Sequence, residues 1–156
     1  MTNDELRLEI AKAKGWRFYE SHPSPLNHTV PHFQASLGII GPNEVRDNKY
    51  WTDEFLDEWP SDWSNLYGAG DIPDWPTDIR AAWELVEEMY AANTHVEISC
   101  RFKSNVDTEI NNGNYFNDCW RVNFSEFGHW DRVNFFTADT AARAICLAWL
   151  KWKGEK

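Results

Sequence analysis

The stretch that most restricts what this chain can fold into runs from Ile72 to Ala92, a proline-bracketed turn leading directly into a two-sided helix. Pro73 and Pro76 stiffen the turn. Beyond them Ile79, Trp83, Val86, Met89 and Tyr90 recur at helical spacing, while Arg80, Glu84, Glu87 and Glu88 fall on the other side. Thr77 is placed to cap this helix, with Asp78 in the first turn, where a negative charge suits the helix dipole. Trp83 is expected to be the large anchor of the apolar side, so a sheet or a second helix must cover it. Nothing in the stretch has catalytic spacing.

The chain has 156 residues, enough for a genuine core without disulfides, and is expected to form a single domain over 1–156. Its 25 Asp and Glu against 15 Lys and Arg leave a formal charge of −10. That balance opposes sequence-independent binding to long nucleic acid, which depends on cations at phosphates, and it opposes docking on anionic membranes. The aromatic supply is large, with 10 Trp, 9 Phe and 5 Tyr. Large rings fill cores and subunit interfaces, and they also offer surfaces on which planar ligands stack. Cys100, Cys119 and Cys146 are far apart and make no Cys-x-x-Cys pair, so reduced, mostly buried thiols are expected. The start, Met-Thr-Asn-Asp-Glu, lacks the order of a signal peptide, and no apolar run reaches membrane-spanning length. A soluble protein of the cytoplasm is the expectation.

Thr2 to Lys14 reads as a short helix, with a Thr2/Glu5 capping box, an apolar stripe of Leu6, Ile10 and Ala13, and Gly15 as its stop. Residues 17–70 are punctuated by His22-Pro-Ser-Pro, Val30-Pro-His, Gly41-Pro-Asn and Trp59-Pro-Ser-Asp-Trp. Their richness in rings argues against a disordered linker. They are expected to form an ordered excursion after the first helix, with a short helix near Thr52 to Glu58. Strand signals follow. Val96, Ile98, Cys100 and Phe102 alternate with Glu97, Ser99, Arg101 and Lys103, and Trp120, Val122 and Phe124 alternate with Arg121 and Asn123. Val133 and Phe135 then alternate with Arg132 and Asn134. A last helix is expected over Ala138 to Lys153, carrying Ala141, Ile145, Ala148, Trp149 and Trp152, with Gly154 as its stop. The fold class this predicts is α+β: a three-stranded antiparallel sheet with two long helices on one face, an N-terminal helix and a long aromatic-rich excursion.

Three segments carry a resemblance. They are Glu9-Ile-Ala-Lys-Ala-Lys-Gly-Trp16, then Pro73-Asp-Trp-Pro-Thr-Asp-Ile-Arg-Ala-Ala-Trp-Glu-Leu-Val-Glu-Glu88, then Thr137-Ala-Asp-Thr-Ala-Ala-Arg-Ala-Ile-Cys-Leu-Ala-Trp-Leu-Lys151. In this order, around the Trp-x-Val-x-Phe strand of Trp120 to Phe124, they resemble the phage ABA sandwich domain. The resemblance covers the first helix and roughly residues 72–154, and the long segment between Arg17 and Gly70 departs from it. It implies a small phage or prophage protein with helices packed on a sheet, acting in the host cytoplasm. It implies no established catalytic residues.

Alternate strand residues share a face, so Arg101, Lys103, Arg121, Asn123, Arg132 and Asn134 are expected together on the outward side of the sheet. Arginine suits phosphates and asparagine suits base edges, so this side is the candidate binding surface for a small anionic, nucleotide-like ligand. The same pattern also describes the ordinary solvated side of an antiparallel sheet. His22, His28 and His32 could hold zinc, though histidine spacing alone is a weak motif, and no metal or cofactor is expected. Asp71, Asp74 and Asp78 suit turns and caps as well as metal-assisted hydrolysis. Asp53, Glu54, Asp57 and Glu58 read as a solvated helix side. Cys119 lies on the polar side of its strand, where His129 could approach it. Tyr67-Gly-Ala-Gly70 lacks the spacing and lysine of a phosphate loop.

The expected function is a non-catalytic binding protein that sequesters a small nucleotide-derived signal. The alternatives are a protein–protein module acting on a host protein through the acidic, Trp-rich excursion, and a hydrolase of the same signals. The surplus of Trp and Phe also predicts a homo-oligomer.

Overall fold

Helix α1 (Asn3–Ala13) opens on the expected capping box. The Glu5 amide donates to Thr2 Oγ1 at 3.2 Å, and the Thr2 amide donates back to Glu5 Oε2 at 2.6 Å. That second bond is the main cause holding the Glu5 carboxyl below the usual carboxylate range. The folded value is the lower one, so the support is complete above the ordinary range and fades as pH falls through the lowered value. Leu6, Ile10 and Ala11 are fully buried, whereas Ala13 is exposed. Gly15, at φ +85°, ends the helix, with its own amide donating to Lys12 O and that of Trp16 to Ala11 O, each at 3.0 Å.

The computed structural model describes residues 1–23, 36–45, 51–101, 119–126 and 134–154. The protein is α+β, with two three-stranded antiparallel sheets. It divides into two compact units: Leu8–Pro73, and Met1–Arg7 together with Asp74–Lys156.

In the first unit, β1 (Arg17–Pro23), β2 (Ser36–Ile40) and β3 (Trp51–Leu56) form a sheet in the order β2-β1-β3. The segment expected as an excursion therefore carries a sheet of its own. The helix expected near Thr52 to Glu58 is replaced by β3, paired with β1 from Phe18↔Leu56 to Pro23↔Trp51. Trp51, Thr52 and Phe55 are strand formers, and the ladder to β1 outweighs the local helical spacing of Phe55 and Trp59. Tyr19 is buried and lies directly across Gly38, where a side chain would meet its ring. The Ser21 hydroxyl donates to Asp53, and Phe18 packs beside Trp59 with ring centroids 6.2 Å apart. A tight turn at Tyr67-Gly68 closes on this sheet: the Ile39 amide donates to Tyr67 O at 2.8 Å, next to a parallel bridge between Gly38 and Tyr67.

In the second unit, β4 (Thr94–Arg101), β5 (Cys119–Glu126) and β6 (Asn134–Ala138) run in sequence order across the sheet. Val96, Val122 and Phe124 are buried under the helices, with Phe136 stacked on Phe124 at 6.0 Å. Helix α2 (Ile79–Ala91) covers β4, and α3 (Ala141–Gly154) covers β5 and β6 while packing against α2. Sheet and two helices thus form the expected layers. Trp149 and Trp152 are buried 6.4 Å apart, and Trp152 Nε1 donates to the buried Thr94 hydroxyl at 3.0 Å. Helix α3 starts three residues later than expected: β6 runs through Ala138, and Thr140 Oγ1 accepts from the Arg143 amide as a cap. Trp75 is buried as well, and its indole N–H has no acceptor among the described residues.

Two details of α2 differ from expectation. The cap is Asp78, whose Oδ1 accepts from the Arg80 amide at 2.9 Å, while the Thr77 hydroxyl donates to Asp74 instead. The buried stripe is Ala81, Ala82, Leu85, Val86 and Met89, so Trp83 is not the inward anchor but half-exposed. Two adjacent alanines let the helix approach the layer beneath, and that rotates the bulkier Ile79, Trp83 and Tyr90 onto a shoulder. Asp78→Ala should therefore destabilise the second unit by about 1 kcal/mol in denaturant unfolding, and Asp78→Asn by much less. Among the described residues, no helix is long and apolar enough to cross a membrane.

Candidate functional site

Register fixes the outward side of the second sheet. Glu97, Asn123 and Phe135 lie across from one another on β4, β5 and β6, and so do Ser99, Arg121 and Thr137. Arg121 is half-buried, and its guanidinium carbon lies 4.4 Å from the centre of the Phe135 ring. Its Nε donates to Asn123 Oδ1 at 3.0 Å, and Asn123 Nδ2 donates to Glu97 Oε2 at 3.4 Å. The Phe135 ring remains 59% exposed. A guanidinium resting on a ring is held flat and offers its edge donors to an anion, while the ring presents an apolar platform to a planar group.

Of the six expected contact residues, Arg121 and Asn123 are brought together on this side. Arg101 is the last residue of β4, its backbone paired with Cys119, and its side chain lies outside the described residues. Lys103 and Arg132 lie outside the described residues. In β6 the Asn134 backbone pairs with Phe124, and it is Phe135 that lies across from Asn123. The cause is the pair Phe135-Phe136. Either ring could have been the inward one, and the stacking of Phe136 on Phe124 decides the phase. Two adjacent rings in a strand necessarily point to opposite sides, so an outward aromatic was readable in the sequence even though its number was not. Glu97 also went unassigned, and it brings a carboxylate within reach of Asn123.

Among the described residues, the other candidates do not assemble. His22 Nε2 lies 3.7 Å from Glu20 in β1, while His28 and His32 fall outside the described residues. Among the described residues, no three His, Cys, Asp or Glu side chains gather as a metal site. Asp78 is spent as a cap and Asp74 accepts from Thr77. Asp53 accepts from Ser21 in a strand, not on a helix side. The Cys119 side chain and His129 lie outside the described residues. Burial pushes the Cys146 thiol up to about 12, with the charge of Asp74 adding to it, so this cysteine stays protonated and inert at neutral pH. Gly68 precedes and Gly70 lies within a 3₁₀ turn (Ala69–Asp71), and the neighbouring Tyr67 carbonyl is engaged by Ile39. No family model, no curated protein and no solved structure matches the chain.

Proposed function

We propose that the protein binds, without converting it, a small planar anion of the nucleotide class on the outward side of the second sheet, and so sequesters it. The observation that carries this reading is the exposed Phe135 ring with the Arg121 guanidinium laid over it and Asn123 alongside. In this mode a base stacks on Phe135, an anionic group meets the Arg121 edge, and Asn123 reads a donor–acceptor edge of the base. Glu97 sets the selectivity, because it repels a second negative charge placed on the Asn123 side. In an infected cell, capture of this kind would remove a host signal from the cytoplasm, a role that fits the resemblance to a phage domain.

Calorimetry against cyclic dinucleotides and ADP-ribose derivatives tests the proposal. A saturable ligand is expected. Arg121→Ala should weaken it about 10- to 100-fold through loss of a charge-assisted contact, and Phe135→Ala by a comparable factor through loss of stacking. Mass spectrometry after heat denaturation should recover the ligand intact, whereas product would favour a hydrolase. Absence of saturable binding, or binding indifferent to both substitutions, would sink the reading.

A second reading, a module that docks on a host protein, draws support from the first unit. There Phe55 is exposed on the acidic strand β3, and Leu37 and Tyr67 are exposed at the β2 edge of the same sheet. A pull-down that depends on Phe55 and Tyr67 but not on Arg121 would select it.

A further inference from the structure

The outward shoulder of α2 is unusual for a helix exposed to water. Ile79 and Trp83 are each 48% exposed and Tyr90 is 47% exposed. At about 100° per residue they fall within an arc of roughly 40°, a continuous apolar stripe along the helix. Arg80, Glu84 and Glu87 flank it on one side, all exposed. Among the described residues, no ion pair engages these three charges. Tyr90 is fixed in place by donating its hydroxyl to the Val96 carbonyl of β4 at 2.9 Å, so this end of the stripe is held ready. Large apolar side chains grouped on one shoulder, with unspent charge beside them, are the ordinary composition of an interface.

We infer that the stripe is a homodimer contact in which α2 packs antiparallel on α2 of a second copy, about a twofold axis beside Trp83. The charges select this occupant and this direction. Arg80 and Glu87 lie equally far from a point between Trp83 and Glu84, so an antiparallel twofold sets Arg80 of one copy level with Glu87 of the other, twice. Flanks on the same side meet under such an axis, which is the side both residues occupy. Ile79 and Tyr90 lie about 7 Å and 10 Å from the same point at 1.5 Å per residue, so each reaches the other across the axis. The two Trp83 rings meet at the centre, where truncation is most costly. A parallel arrangement would instead carry these flanks to opposite sides of the axis, so neither Arg80 nor Glu87 would meet its counterpart. One helix face is a small contact, at the low end of specific interfaces, so a concentration-dependent equilibrium is expected rather than a permanent dimer.

Sedimentation velocity over a concentration series tests this. Self-association is expected, weakened about tenfold or more by Trp83→Ala. Arg80→Glu and Glu87→Arg should each weaken it, and the double exchange should restore it, because the exchanged charges again face each other. Circular dichroism and unfolding curves like those of the parent would keep each variant informative. A chain that stays monomeric throughout, a dimer indifferent to Trp83→Ala, or a double exchange no better than its parents would overturn the inference.

Discussion

Trp149→Ala will cost the second unit about 3–5 kcal/mol, against a total of roughly 5–15 kcal/mol for a domain, and will leave it largely unfolded in mild denaturant. Trp149 is fully buried in α3, beside Trp152, where that helix packs on β5, β6 and α2. Removing the indole opens a cavity that the sheet cannot collapse into, since its strands are fixed by pairing on both sides of β5. The sharpest comparison is with Trp83→Ala. The same chemical change at a half-exposed shoulder should cost about 1 kcal/mol or less in the monomer. Urea unfolding followed by far-UV circular dichroism measures both at protein concentrations low enough to suppress association. If Trp83→Ala proved the more damaging of the two, α2 would have to be turned the other way round.

Gly68→Ala is the second large effect, and it acts through the backbone. Gly68 sits at φ +81°, a conformation that costs an L-residue about 1–2 kcal/mol, and an added methyl would fall against the Ile39 carbonyl oxygen, well inside contact distance. Neither the oxygen nor the turn can yield easily, because the Ile39 amide is already bonded to Tyr67 O. A loss of at least about 3 kcal/mol in the first unit is therefore expected, with the Tyr67 bridge released. Gly70→Ala is the control two residues away, where a methyl meets nothing within 4 Å. It should be neutral or slightly stabilising. Hydrogen exchange at the Ile39 amide reads the difference directly: protection should be lost in the first variant and kept in the second.

Much of the second unit was legible because its signals agree with one another. Val96, Ile98, Val122 and Phe124 alternate cleanly, Gly154 closes a helix rich in alanine and tryptophan, and the Thr2/Glu5 box stands where its spacing says. The failures share a cause: each was settled by a tertiary contact that local spacing does not contain. Phe55 and Trp59 sit at helical distance, but β1 recruits Trp51–Leu56 as a strand. Trp83 looked like an anchor by size, yet Ala81 and Ala82, the least conspicuous residues of α2, decide which side goes in. The candidate site was half readable for the same reason. Arg121 and Asn123 follow from an unambiguous strand, whereas the outward place of Phe135 depended on the phase of β6, and that phase was set by a ring pairing with Phe124.

The doublet Phe135-Phe136 has a wider consequence. Flipping β6 over would exchange one phenyl for another and leave the greasy cover of the sheet almost unchanged, so hydrophobicity barely discriminates between the two orientations. Discrimination falls to the polar and small neighbours. As paired, Thr137 sits beside Arg121 and Ala138 beside Trp120, whereas the reverse would push a hydroxyl toward the helices. A short edge strand so weakly biased is the cheapest place in the sheet for substitution to present a different ring, or none, to whatever the protein meets.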